Sequence, residues 1–134
     1  MIDAASPVAF AKDFLSILDL TPVDLARLLD TAATMKADRR LGRQSPPALS
    51  GLHVALLFEQ PSLRTGSPVQ VAIRELGGDT LHLPAQFAEG VREPLVDIAR
   101  NLERWVRALV IRTYEQEKAA IIADAGRQLQ VINA

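Results

Sequence analysis

The feature that most constrains the fold is a repeated change of period along residues 52–133. Short apolar runs, "LHVALLF" (52–58), "TLHL" (80–83), "ALVIRT" (108–113) and "LQVIN" (129–133), are separated by segments with helical spacing. Near-continuous apolar runs of this length suit strands covered on both faces. Strand, helix, strand, helix, strand, helix, strand is the grammar of a parallel sheet with right-handed crossovers. The sequence therefore predicts an α/β domain of three layers, with a four-stranded parallel sheet and helices on both faces. Ligands of such sheets sit beyond the carboxyl ends of the strands. That rule draws attention to Glu59 to Thr65, Pro84 to Arg92 and Arg112 to Glu115.

The segments between the strands carry start and stop signals. "DLTPVDLARLLDTAATMKADRRLG" reads as a helix, with Thr21 as cap, Pro22 at the first position and Asp24 at the positive end. Leu25, Leu28, Leu29, Ala32 and Met35 recur at helical spacing and predict one buried stripe. A second helix runs to Leu76 and is stopped by Gly77-Gly78. "EPLVDIARNLERWV" predicts a third, with Pro94 at its start and Leu95, Ile98, Leu102 and Trp105 on one face, so that Trp105 is expected in the core or at a subunit contact. "EQEKAAIIADAG" predicts a fourth, closed by Gly126, and "AQFAEGVRE" reads as a loop. Residues 1–13 are small and polar and are expected to form a loose arm; the chain is read as a single domain over 1–134.

Composition removes several function classes. The 134 residues are 49% apolar, enough for one core, and the formal charge of −1 lacks the basic surplus of a nucleic-acid binder. Lys36, Arg39, Arg40 and Arg43 cluster where a helix ends, as cations at a negative helix end do. With no cysteine there is no disulfide, thiol nucleophile or thiolate metal site. His53 and His82 stand alone in separate strand-like runs, so no metal is expected. No apolar run is long enough for a membrane span, and a cytoplasmic protein with no membrane partner is expected.

The chemistry-bearing stretch is "EQPSLRTGSPVQ" (59–70). Ser62, Arg64 and Thr65 follow a strand and offer hydroxyls, backbone amides and a fixed charge, the donors an anion needs. Pro-Ser-x-Arg-Thr also fits an ordinary helix cap. Arg112 ends another strand on the same rim, where it either joins Arg64 on an anion or pairs with Glu115 or Glu117. There is no Gly-x-Gly-x-x-Gly after a strand and no Gly-Lys-Ser/Thr loop, so dinucleotide and nucleoside-triphosphate sites lack support.

Taken together, "FEQPSLRT", "LGG", "REPLVDIARNLERWV", "VIRTYEQE" and "VINA" resemble the carbamoyl-phosphate-binding half of the ornithine carbamoyltransferases, over almost the whole chain. The resemblance implies transfer of a carbamoyl group from carbamoyl phosphate to ornithine, giving citrulline and phosphate, as in arginine biosynthesis, with no cofactor. It implies that Ser62, Leu63 (through its amide), Arg64 and Thr65 hold the phosphate, and that Arg112 reaches phosphate and carbamoyl oxygens and stabilises the tetrahedral intermediate. It further implies a homotrimer in which Gln86, with Arg92, is lent to a neighbouring subunit's site. The family pattern continues past "VINA" into residues that contact the carbamoyl group and an ornithine-binding domain. Those are absent from these 134 residues, so the chain alone is not expected to complete the transfer. Two other readings are a non-catalytic trimer-forming remnant and an engineered or partial chain with an impaired phosphate loop.

The loop also departs from the family pattern, with Gly66 where an arginine stands, Gln70 in place of an acid, and Pro68 between them. Proline in the second turn of a helix begun at Ser62 costs about 3 kcal/mol, and Gly66 adds about 1 kcal/mol. The sequence therefore predicts that the helix start moves toward Ser67, with Ser67 as cap, Pro68 next and Gln70 completing a capping box.

Overall fold

The computed structural model describes residues 11–134. Its order is α1 (Pro22–Arg40), β1 (His53–Phe58), α2 (Gly66–Glu75), β2 (Asp79–Leu83), α3 (Leu95–Leu102), β3 (Ala108–Arg112), α4 (Gln116–Ala125) and β4 (Gln130–Asn133). Single-turn 3-10 segments precede α1, at Ile17–Asp19, and follow β2, at Ala85–Glu89. The four strands form one sheet in the order β2-β1-β3-β4, every pair parallel. This is the α/β architecture expected from the alternation of periods.

The two inner strands explain the layers. Ala55, Leu57, Leu109 and Ile111 point to one face and pack with Ile98, Ala99 and Leu102 of α3 and with Ala119, Ile122 and Ala123 of α4. Val54, Leu56, Ala108 and Val110 point to the other, against Ile73 of α2 and Leu49. Both faces of β1 and β3 are thus dry, and each fully buried leucine there contributes roughly 1.5–3 kcal/mol.

Helix ends follow the sequence signals. Thr21 Oγ1 accepts the Asp24 amide at 3.1 Å and caps α1, with Pro22 at the first position. α2 closes in a Schellman arrangement, the Gly78 amide donating to Ile73 O at 2.9 Å and that of Gly77 to Arg74 O at 3.0 Å. Gly77 has φ +82°, and a Cβ there would meet Pro47 Cβ at 3.0 Å, so both conformation and space require glycine.

Three expectations are corrected. The stripe on α1 is not buried: α1 has no buried residue, and Leu29 is 60% exposed. Helical spacing reports an apolar face, not what covers it; α2 stands opposite Met35 across an open cavity rather than packed against it. Trp105 falls outside α3, in the turn after Leu102, and is 57% exposed, so of the two places expected for it the core is excluded. Residues 85–89, read as part of a loop, wind into a 3-10 turn ended by Gly90 at φ +68°. Residues 1–10 of the expected arm lie outside the described residues, but Lys12 and Asp13 are tied down. Lys12 Nζ donates to the carbonyls of Ala123, Gly126 and Leu129 at 2.8–3.0 Å. Asp13 accepts the Val131 amide at 2.8 Å, and Phe14 bridges in parallel to Ile132.

Candidate functional site

The register of the sheet assembles the site. Phe58 lies opposite Arg112 across β1 and β3, so the loop leaving β1 starts beside the arginine that ends β3. The ladder continues one residue further, the Glu59 amide donating to Arg112 O at 2.9 Å. From there the chain rises through Pro61 and folds back, placing Thr65 over the same rim. Arg112 Nη1 donates to Thr65 Oγ1 at 2.9 Å. The salt bridge from Arg112 to Glu115 or Glu117, open on sequence grounds, does not form.

Ser62 organises the turn. Its Oγ accepts the Thr65 amide at 3.3 Å and its carbonyl accepts the Gly66 amide at 2.8 Å. One helical turn therefore forms over residues 62–66 and runs into α2. The amides of Leu63 and Arg64 have no hydrogen-bond partner among the described residues. Arg64 is exposed and is held by no described carboxylate. A strand end thus presents two unbonded amides, a serine hydroxyl free to donate, and two guanidiniums, a set suited to a compact dianion.

The expected helix start is corrected in detail. α2 begins at Gly66 with Thr65 as cap, so Ser67 is inside the helix and no capping box with Gln70 forms. Pro68 is the third helical residue, where an amide has no acceptor within the helix in any case. The Val69 amide resumes the ladder to Thr65 O at 3.2 Å. The break falls instead on the Arg64 carbonyl, which Pro68 cannot serve.

Glu59 and Lys118 form a cluster that sequence reading did not single out. The Glu59 side chain is 8% exposed and that of Lys118 18%, and the ammonium donates to Glu59 Oε1. The other carboxylate oxygen accepts the Tyr114 amide. Burial alone would raise the Glu59 carboxyl, but the hydrogen bonds from Lys118 and the Tyr114 amide, with the Lys118 charge, hold it below its ordinary value of 4.5. The bond to Glu59 raises Lys118 in turn, against its own desolvation. The two positions are far apart in sequence, and only the signal of two charges beside apolar strands and helices could have suggested that they meet.

Gln86 and Arg92 are exposed on the segment after β2 and make no side-chain hydrogen bond among the described residues. A cavity of about 1100 Å³ between α1 and α2 is lined by residues that include Met35, Lys36, Leu63 and Val71, and Ser62, Arg64, Thr65 and Arg112 are not among them. Among the described residues no helix is long and apolar enough to cross a membrane.

Comparison with known proteins shows which family the chain resembles. A family model for the aspartate/ornithine carbamoyltransferase carbamoyl-phosphate-binding domain matches residues 12–134. The ornithine carbamoyltransferase of Deinococcus radiodurans is 43% identical over 123 residues, 91% of this chain and 39% of that protein. That of Thermus thermophilus is 39% identical over 124 residues, 92% of this chain and 40% of that protein. Among solved structures, ornithine carbamoyltransferase from Pyrococcus furiosus matches with a TM-score of 0.83 at 34% identity, over 90% of this chain and 38% of that one. Aspartate transcarbamoylase from Trypanosoma cruzi, solved with carbamoyl phosphate, shares the fold with a TM-score of 0.79 at 24% identity, over 91% of this chain and 38% of that one. The chain thus spans about two fifths of the length of these relatives. It belongs to the aspartate/ornithine carbamoyltransferase family and carries that family's carbamoyl-phosphate-binding domain.

Proposed function

We propose that this chain binds carbamoyl phosphate at the mouth of β1 and β3 and serves as the donor half of an ornithine carbamoyltransferase. The observation that carries the reading is the hydrogen bond from Arg112 to Thr65, which brings both arginine-bearing loops to one rim. In this reading the Ser62 hydroxyl, the Leu63 and Arg64 amides, the Thr65 hydroxyl and the Arg64 guanidinium hold the phosphate. Arg112 turns between Thr65 and the ligand, polarising the carbamoyl carbonyl and stabilising the oxyanion when an amine adds to its carbon. A C–N bond then forms, the C–O bond to the phosphate breaks, and phosphate leaves into the site that already holds it. The amine nitrogen gives up one proton. Ornithine is the acceptor proposed, supplied at a second domain that these residues do not include. The working protein is proposed as a cytoplasmic homotrimer acting in arginine biosynthesis, with Gln86 of one subunit reaching the site of the next and no cofactor required.

Calorimetric titration of carbamoyl phosphate into the folded chain tests this. Saturable binding that Arg64→Ala abolishes is expected; absence of heat from a folded chain overturns it. A second reading, a trimer-forming module without ligand, is favoured by the start of α2 at Gly66 and by the Arg64 carbonyl that Pro68 leaves unserved. Trimerisation in sedimentation without carbamoyl-phosphate binding would select it.

A further inference from the structure

We infer that Glu59 and Lys118 are positioning residues for the anion site, a half-buried ion pair that fixes where Arg112 stands; the inference rests on the carbamoyl-phosphate reading above. Arg112 is held at one end through its carbonyl, which accepts the Glu59 amide at 2.9 Å. Two residues further on, the Tyr114 amide is accepted by the Glu59 carboxylate. One residue thus grips the chain on both sides of the Arg112–Thr113 step, with its backbone before the step and its side chain after it. Lys118, in the first turn of α4, holds that carboxylate in place and is itself 3.6 Å from Glu115 Oε1. Thr113 Oγ1 donates to Glu115 O at 2.8 Å and closes the same turn.

The pair also sets the other loop. Glu59 is the first residue of the segment that ends at Thr65, and Thr65 is the acceptor of the Arg112 side chain. The Glu59 backbone thus begins the loop on one side of the Arg112–Thr65 contact, while its carboxylate steadies the chain just after Arg112 on the other. Neither partner is placed to touch the ligand: the Glu59 side chain is 8% exposed, and its carboxylate is occupied by Tyr114 and Lys118. A carboxylate near a dianion would repel it unless neutralised, which gives the Lys118 charge a second effect. Displacements near 1 Å in a preorganised site can change rates 10²-fold, so this support is expected to show in binding as well as in stability.

The experiment uses carbamoyl phosphate as probe, the described chain, and the variants Glu59→Gln, Lys118→Met, Lys118→Arg and Arg112→Gln. Glu59→Gln and Lys118→Met are each expected to weaken binding about tenfold while the protein stays folded, and Lys118→Arg to restore most of it. In the Arg112→Gln background the Glu59→Gln change is expected to add less than about twofold, because its effect passes through Arg112. A pair that only stabilises the fold would lower the melting temperature and leave affinity and the Arg112 dependence unchanged, which overturns the inference. If the unsubstituted chain binds nothing, the donor-half reading fails separately. The pair is then judged in the free protein by the NMR resonances of the Arg112 Nε–H and the Tyr114 amide. Loss of their order in Glu59→Gln sustains the inference, and unchanged signals refute it.

Discussion

The guanidinium of Arg112 donates to the hydroxyl of Thr65 at 2.9 Å, joining residues 47 positions apart across the carboxyl ends of β3 and β1. The contact uses one of the five guanidinium donors and leaves the others to an incoming anion. Thr65→Val removes the acceptor while keeping shape, and is expected to weaken carbamoyl-phosphate binding about tenfold, near 1.4 kcal/mol. Arg112→Gln should weaken it further. Titration calorimetry of the two variants checks the order, and equal affinity for Thr65→Val and the unsubstituted chain would refute the role given to the contact.

The start of α2 gives a stability prediction of opposite sign. Gly66 has nothing within 4 Å of a built Cβ and no positive φ, so Gly66→Ala fits without strain. It is expected to stabilise the chain by about 0.5–1 kcal/mol, through helix propensity and a less flexible unfolded state. Urea unfolding monitored by circular dichroism reads it. A lower midpoint with unchanged slope would show that the turn at residues 62–66 needs glycine for reasons the backbone angles do not reveal.

The Glu59–Lys118 pair sets a pH dependence. Glu59 titrates lower in the folded chain than unfolded, so the folded state binds its proton less readily. That contribution is complete above the unfolded value near 4.5 and is lost as pH falls through the lower folded value. Lys118 is raised, so its contribution is complete below 10.5 and is lost as pH climbs past the folded value. Glu59→Gln is therefore expected to lower stability at neutral pH and to flatten the acid limb of the stability curve. Melting temperatures measured between pH 3 and 7 decide it, and parallel curves for the two proteins would show that Glu59 contributes nothing to that limb.

What could be read from the sequence divides along a physical line. Strands β1 and β3 were legible because Val54–Leu57 and Ala108–Ile111 are continuous apolar runs, and burial on both faces needs nothing else. Caps at Thr21 and Gly77-Gly78 were legible because the interaction is local. Ser62, Arg64, Thr65 and Arg112 were legible as candidates because strand ends of a parallel sheet are a fixed address. What escaped depends on distant partners. Lys12 reaches carbonyls more than 110 positions away, Glu59 meets Lys118, and the apolar face of α1 buries no residue. Periodicity carries no information about any of these.

Lys12 should matter more than an N-terminal lysine usually does. Its ammonium donates to three carbonyls, at the end of α4 and between α4 and β4, and also lies 2.9 Å from Asp13 Oδ2. Lys12→Met keeps the stem and removes the donors, leaving those carbonyls to water. With a side chain 36% exposed the loss is discounted to about 1–2 kcal/mol. Unfolding in urea measures it, and a change below about 0.3 kcal/mol would mean that solvent replaces the three bonds without loss.

Helix α1 is expected to be the least protected element of the described chain. Its cap and helix-forming residues favour the helix locally, but it buries no side chain, and its long-range tie to α2 is the exposed Arg39–Glu75 ion pair at 3.0 Å. Most helical stability in proteins comes from packing an amphipathic face rather than from propensity, and exposed ion pairs add at most about 1 kcal/mol. Opening of α1 therefore exposes little new apolar surface and can occur without disturbing β1 or β3. Amide hydrogen exchange should show residues 22–40 exchanging through local opening, while Ala55–Leu57 and Leu109–Ile111 exchange only on global unfolding. Equal protection of both groups in the monomeric chain would mean that α1 is held by contacts its exposed face does not account for.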